Sequence, residues 1–193
     1  MGQLQLEKIW DPVTRLWHWV LALAVILNWT FGTFMSFDTV RWHFYIGYLI
    51  LGLMSFRILW GIFGPAKERF SSLIPAPSAV VQYAKTFRRR EPSGTPGHNP
   101  LGSLYIMAII LILCAQALSG LFIESEDFFE YGPLNDKITE EMAAHMLGWH
   151  HFIADLILAL VTFHVYVIFY YLLWKKENLI KPMFTGWKWV RRD

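Results

Sequence analysis

The chain has 193 residues, of which 55% are hydrophobic and only 17% are charged, and its formal net charge is +2. A soluble protein of this composition would expose too much apolar surface, so we expect an integral membrane protein with no nucleic-acid partner. The single cysteine excludes a disulfide framework, an iron–sulfur cluster held by this chain alone and covalent c-type haem attachment.

Four hydrophobic stretches are long enough to cross a membrane, which takes about 20 apolar residues. In chain order they are residues 16–37, 42–63, 101–123 and 142–174, separated by a loop at 64–100 and an outer loop at 124–141. We predict an all-α integral membrane four-helix bundle that forms a single domain over residues 1–193.

The basic residues indicate the orientation of this bundle. Four spans place both termini and the 64–100 loop on one side, and every Lys and Arg except Arg41 and Lys137 belongs to that side. The opposite side is acidic, with Asp38, Glu124, Glu126, Asp127, Glu130, Asp136, Glu140 and Glu141. The positive-inside rule therefore predicts that both termini are cytoplasmic.

Four histidines lie in the predicted spans. His18 is near the cytoplasmic end of the first span, His43 is near the outer end of the second, and the fourth span contains His150 and His164. The fourteen-residue spacing in the fourth span nearly closes four helical turns, which places both imidazoles on one face about 21 Å apart. Depth then pairs His43 with His150 on the outer side and His18 with His164 on the inner side.

These pairs point to haem iron. Ionisable residues within spans are costly and usually functional, and two neutral imidazoles saturate the iron of a low-spin b-type haem. We predict two haem b groups as cofactors, with His18 and His164 as axial ligands on the cytoplasmic side and His43 and His150 on the periplasmic side. His151 is an alternative outer ligand, but it lies about 140° from the His164 face, whereas His150 lies only about 40° away.

Two charged side chains fall inside the spans. Arg57 is expected either to pair with a haem propionate on the inner side or to extend to lipid phosphate. We expect Asp155 to be buried in the bundle, either hydrogen-bonded to Asn28 or Gln116 or acting as a proton relay.

The connecting segments also carry signals. Residues 78–90 predict a short basic amphipathic helix on the inner membrane surface. The C-terminal tail, with Trp187 and Trp189 among basic residues, is expected to contact membrane lipid. Thr139, followed by Glu140 and Glu141, is expected to begin the fourth long helix. His98 is interpreted as a surface or capping residue.

Short motifs in a specific order suggest a family. They are Trp10-Asp11-Pro12 with Thr14-Arg15 and His18-Trp19, His43 with Gly47-Tyr48, Arg57-Ile58-Leu59-Trp60-Gly61, Gly97-His98-Asn99-Pro100-Leu101-Gly102, the His150–His164 spacing, and Lys176-Glu177-Asn178-Leu179. With them the chain resembles the bacterial cytochrome b561 family, in the group that includes b-type cytochrome subunits of nickel–iron hydrogenases. The resemblance implies a four-helix bundle in the bacterial inner membrane, two b haems on the four histidines named above, and exchange of electrons with membrane quinones.

The leading functional hypothesis is therefore electron transfer between the quinone pool and a periplasmic redox partner, which is a hydrogenase, another oxidoreductase or a cytochrome c. A superoxide:quinone oxidoreductase is an alternative, although its anionic substrate does not suit the acidic outer side. A non-haem metal or proton transporter is a further alternative, although its pathway would require polar groups strung through the middle of the spans. The sequence leaves open whether the chain is an electron-transfer subunit or a quinone-linked enzyme, and whether it forms a homodimer.

Overall fold

The structure is a computed structural model, and it describes residues 3–93, 95–125 and 128–192. The elements in chain order are β1 (Gln3–Lys8), α1 (Pro12–Thr33), α2 (Val40–Phe63), α3 (Phe70–Leu73), α4 (Pro77–Thr86), α5 (Pro100–Ser119), β2 (Glu124–Ser125), β3 (Glu130–Tyr131), a 3-10 helix (Asn135–Lys137), α6 (Glu140–Leu173), α7 (Ile180–Thr185) and β4 (Trp187–Arg192). The predicted outer acids Glu126 and Asp127 lie outside the described residues.

Four of these helices, α1, α2, α5 and α6, are long and apolar enough to cross a membrane. They confirm the predicted all-α fold class with four membrane-spanning helices. The helix α4 confirms the short helix predicted at residues 78–90, although it ends at Thr86.

Polar residues fix where the long helices begin. Asp11 precedes α1, and its Oδ1 accepts hydrogen bonds from the backbone N–H groups of Val13 at 2.8 Å and Thr14 at 3.0 Å. Asn99 accepts from Gly102 at 2.9 Å ahead of α5, and Thr139 accepts from Met142 at 3.3 Å ahead of α6. These side chains satisfy backbone donors that have no partner within the first helical turn. The cap ahead of α5 is thus Asn99, and the neighbouring His98 is exposed.

The chain forms two compact units, and each contains a segment of every long helix. The first comprises Met1–His18, Trp60–Ala108 and Val161–Asp193, and the second comprises Trp19–Leu59 and Ile109–Leu160. The second unit therefore contains the segments of α2 and α6 that carry His43 and His150. The first contains the segments of α1 and α6 that carry His18 and His164.

In the first unit the two ends of the chain pair as an antiparallel sheet. Strand β1 runs against β4, from Gln3 opposite Arg192 to Lys8 opposite Trp187. Gly186 allows the turn into β4, because its φ of 84° is a conformation that favours glycine. Its carbonyl also accepts a hydrogen bond from Ile9 at 2.8 Å. Both termini consequently lie together, as four spans require.

A second contact in the first unit joins α4 to the end of α6. The Tyr171 side chain is 1% exposed, and its hydroxyl lies 2.6 Å from the Tyr83 hydroxyl. The Asn99 side-chain amide donates to the same Tyr171 hydroxyl at 3.0 Å. Buried polar atoms of this kind need hydrogen-bond partners, so these three residues fix α4 and the start of α5 against α6.

A buried ion pair fastens the C-terminal segment. The Glu177 carboxylate, 6% exposed, accepts from Lys188 Nζ at 2.6 Å and from the Ser93 backbone N–H at 2.6 Å. Lys188 also donates to the Thr95 carbonyl at 2.9 Å. Burial raises the pKa of Glu177, but the hydrogen bonds from Lys188 and Ser93 outweigh it and hold the pKa below its ordinary value.

We expect Glu177→Gln to destabilise the protein by about 3 kcal/mol, because the substitution leaves the Lys188 ammonium without its carboxylate. Since the native pKa of Glu177 is lowered, its stabilisation is complete above the unfolded value of 4.5 and is lost as pH falls through the native value. Thermal unfolding in detergent should show this acid-side dependence for the native protein and not for the variant.

The control for this prediction is Asp136→Asn, which breaks an ion pair whose side chains are 68% and 66% exposed. Exposed pairs contribute little to stability, so its unfolding temperature should hardly change. Equal stability of the Glu177 variant and the native protein would show that the buried pair is not stabilising.

Candidate functional site

The first unit brings His18 of α1 and His164 of α6 together. Their ring centroids are 6.4 Å apart, and the ring planes are inclined by 51°. Tyr105 of α5 stacks on His164, with ring centroids 5.9 Å apart and planes within 5° of parallel. The aromatic contact limits the rotation of the His164 ring, so the inner pair has one imidazole held by packing.

The second unit brings His43 of α2 and His150 of α6 together. Their ring centroids are 6.1 Å apart, and the planes are inclined by 77°. His150 is buried, whereas its neighbour His151 is exposed. The structure therefore places His150 opposite His43, in agreement with the helical phase that favoured it over His151.

The ring separations are those expected for two axial ligands of one metal ion. A metal–imidazole bond is about 2.0 Å, and with the ring centre about 1.1 Å beyond the nitrogen, two opposed ligands place their centroids about 6.2 Å apart. A direct hydrogen bond between the rings would bring the centroids to about 5.2 Å. Both pairs match the first value, so each has room for one iron between its rings.

Hydrogen bonds in the outer pair determine which nitrogen of each ring remains available as a ligand. His43 Nδ1 lies 3.0 Å from the Asn28 carbonyl oxygen, which can only accept, so this nitrogen carries the proton. His150 Nδ1 lies 2.9 Å from Ser119 Oγ, whose own hydroxyl donates to the Gln116 carbonyl at 2.9 Å. Ser119 must therefore accept from His150. Each ring is left with an unprotonated Nε2, the form that binds a metal.

Glycines make room around the outer rings. A Cβ at Gly32 of α1 would lie 2.9 Å from His43 Cε1, and one at Gly120, just after α5, would lie 3.3 Å from His150 Cε1. One turn after His43 is Gly47, where a Cβ would meet no atom within 4 Å. The space beside His43 suits a flat cofactor better than a packed side chain.

Sequence reasoning did not identify Ser119, Gly32, Gly120 or Tyr105. Three of these are small residues in or beside a span at the depth of the outer histidines, which is the signal that marks close approach of another group. Tyr105 carries no such signal, since an aromatic residue in a span is ordinary.

The two charged span residues behave differently from each other. Arg57 is only 6% exposed, so its guanidinium lies among the helices and does not extend to the lipid surface.

The prediction that Asp155 is buried is wrong, because Asp155 is exposed on α6. The side-chain oxygens of Asn28 and Gln116 are buried without a hydrogen-bond partner in the described part of the chain. The prediction failed because Asp155 points away from the face that carries His150.

Among the described residues, no group of three or more His, Cys, Asp or Glu side chains is placed to hold a bare metal ion. The site therefore consists of two separate imidazole pairs. This arrangement suits cofactors that bring their own equatorial ligands, such as porphyrins.

Comparison with known proteins identifies the family and several relatives. The family model described as prokaryotic cytochrome b561 matches residues 9–186. Proteins named probable Ni/Fe-hydrogenase B-type cytochrome subunit from Azotobacter chroococcum mcd 1 and Azotobacter vinelandii are each 23% identical, with alignments covering 100% of this chain and 94% of the relative. The protein of the same name from Cupriavidus necator is 24% identical over 93% of this chain and 86% of its own length. No solved structure matches the chain significantly.

Proposed function

The chain belongs to the prokaryotic cytochrome b561 family, and from this premise we propose that it carries electrons across a bacterial inner membrane between the quinone pool and a periplasmic redox partner. The resemblance read from the sequence motifs is confirmed, and the chain is a multi-pass membrane protein of a haem-based electron-transfer family. The observation that carries the proposal is the pair of ring separations, 6.4 Å and 6.1 Å, each suited to one iron.

We assign His18 and His164 as axial ligands of a cytoplasmic-side haem b and His43 and His150 as axial ligands of a periplasmic-side haem b. Each haem, when bound, would supply a one-electron redox couple. Two imidazoles per iron leave no coordination position open, which favours electron transfer over oxygen chemistry. The protein's part is to orient these imidazoles: Asn28 and Ser119 fix the outer rings, and Tyr105 packs against one inner ring.

The charges support the proposed orientation and cofactor. Arg57 is a buried cation within a membrane span, and this position is favourable for contact with a propionate of a bound haem. The paired terminal strands belong to the side that collects nearly all the Lys and Arg residues, which we assign to the cytoplasm. The acidic outer side would meet the redox partner.

The names of the relatives favour a hydrogenase as that partner. Another periplasmic oxidoreductase or a cytochrome c would use the same outer side. Direct oxidation of superoxide is less favoured, because an anion would approach an acidic surface.

Reduction by quinol tests the proposed function. The purified haem-loaded protein is mixed anaerobically with a soluble menaquinol or ubiquinol analogue, and the haem absorption is followed. We expect reduction by at least one quinol, and dithionite should then reduce the remaining haem. Full reduction by dithionite with none by any quinol would exclude the quinone link while leaving haem binding intact.

Ser119→Ala should change the outer haem without removing it. The variant loses the acceptor for His150 Nδ1–H, and loss of such partners typically weakens metal binding about 10-fold to 100-fold. A less electron-rich imidazole also stabilises oxidised iron less, so we expect one of the two midpoint potentials to rise in a redox titration.

The matched variant is Ser119→Thr, which keeps the hydroxyl and should keep both potentials. If the alanine variant leaves both potentials where they are in the native protein, Ser119 does not act on a ligand.

A further inference from the structure

Helix α6 has an exposed face with polar residues, directed away from the face that carries the proposed ligands. His150 and Ile157 are buried, whereas His151, Asp155 and Leu158 are exposed. Asp155 follows His150 by five residues, which places it about 140° around the helix. Its side chain therefore projects away from the proposed haem site.

The two ionisable side chains of this face have no partner in the described part of the chain. Neither Asp155 nor His151 forms a hydrogen bond or an ion pair there, although the two are one helical turn apart. Gly148, three residues before His151, is also exposed, and a Cβ at this position would meet no atom within 4 Å. We call Gly148, His151, Asp155 and Leu158 the polar face of α6.

Such a face is not stable against lipid. Asp155 lies fifteen residues after the first residue of α6 and eighteen before the last, well inside the span. An aspartate at the centre of a span is costly to insert, and intramembrane ionisable groups almost always face protein or water. The polar face is therefore expected to be covered by another protein surface.

We propose that the polar face of α6 is the interface between two copies of this chain in the membrane. A two-fold dimer brings one patch against itself, so that patch must contain both a donor and its acceptor. The polar face meets this condition, because the His151 ring N–H can donate to the Asp155 carboxylate of the other copy, and the symmetry makes the contact twice.

The small residue in this face also suits close helix packing. Helices in membranes associate through small residues that let their backbones approach and through polar side chains that bond across the interface. Gly148 supplies the first, and His151 with Asp155 supplies the second. An interface with an unrelated helix would need only a donor or only an acceptor on α6. The presence of both, His151 as donor and Asp155 as acceptor, favours a second copy of this chain. The inference does not depend on the proposed electron transfer, since the ligands lie on the opposite face.

Counting copies in a bilayer tests the dimer. The full-length fluorescently labelled protein is reconstituted in phosphatidylcholine vesicles at low density, and photobleaching steps are counted. We expect mainly two copies for the native protein, and for Asp155→Ala a dissociation constant at least about 10-fold higher. Ser55→Ala, which removes an exposed hydroxyl on α2, is the control and should leave the dimer unchanged.

Cross-linking checks the same face without removing the polar pair. In a Cys114→Ala background, Leu158→Cys should form a disulfide between copies under mild oxidation. Leu111→Cys, on the exposed side of α5, should not. The retained haem spectrum shows that each variant is folded. Single copies of the native protein, an undiminished dimer of the Asp155 variant, or association only with a different protein would overturn the proposal.

Discussion

Replacing His150 by alanine is expected to remove one of the two proposed haem b groups, whereas replacing its neighbour His151 is expected to leave both. His150 faces His43 at a centroid distance of 6.1 Å, and His151 is exposed on the other side of α6. Loss of an axial ligand leaves the iron with one protein bond, so the outer haem should be lost during purification.

Haem per chain in purified protein distinguishes these two variants. The His150 variant should contain about half the haem of the native protein, while the His151 variant should match it. The reverse result would exchange the roles of the two histidines. Native haem content in both variants would mean that neither is an outer ligand.

Gly32→Ala is expected to weaken binding of the proposed outer haem as strongly as Ser119→Ala, even though it adds only one methyl group. The new Cβ would lie 2.9 Å from His43 Cε1, closer than side chains tolerate, and His43 is held by Asn28. The His43 ring must move from its position, so affinity for the outer haem should fall by about 10-fold to 100-fold.

Gly52→Ala is the matched control, because its Cβ would meet no atom within 4 Å. A helical glycine replaced by alanine where there is room costs nothing sterically and favours the helix by up to about 1 kcal/mol. Haem titration of the two apoproteins should separate them. Unchanged haem binding by the Gly32 variant would show that the His43 ring is not held where the structure places it.

The sequence was sufficient for the long helices and for which histidines lie together in pairs. Span length follows from the run of apolar residues, and the phase of α6 follows from its period, so the choice of His150 over His151 needed no contact information. The assignment of the four histidines as ligands remains a prediction, supported by geometry.

The sequence was not sufficient for features that depend on contacts between distant segments. The β1–β4 pairing joins the two ends of the chain. A local sequence pattern does not predict pairing with a strand so distant in sequence. Ser119 has a role only because α5 brings it to His150 Nδ1. Asp155 was misplaced because a charge in a span usually faces the interior of its own bundle, and here it faces outward.

The amount and type of haem bound per chain tests the account most directly. Protein expressed with adequate haem supply is purified, its haem is extracted as the pyridine complex, and a reduced-minus-oxidised spectrum is recorded. We predict two haem b per chain with low-spin bands. A single haem would contradict the pairing of one histidine pair, and a colourless protein would contradict the proposed function and favour a transporter that uses the same histidines.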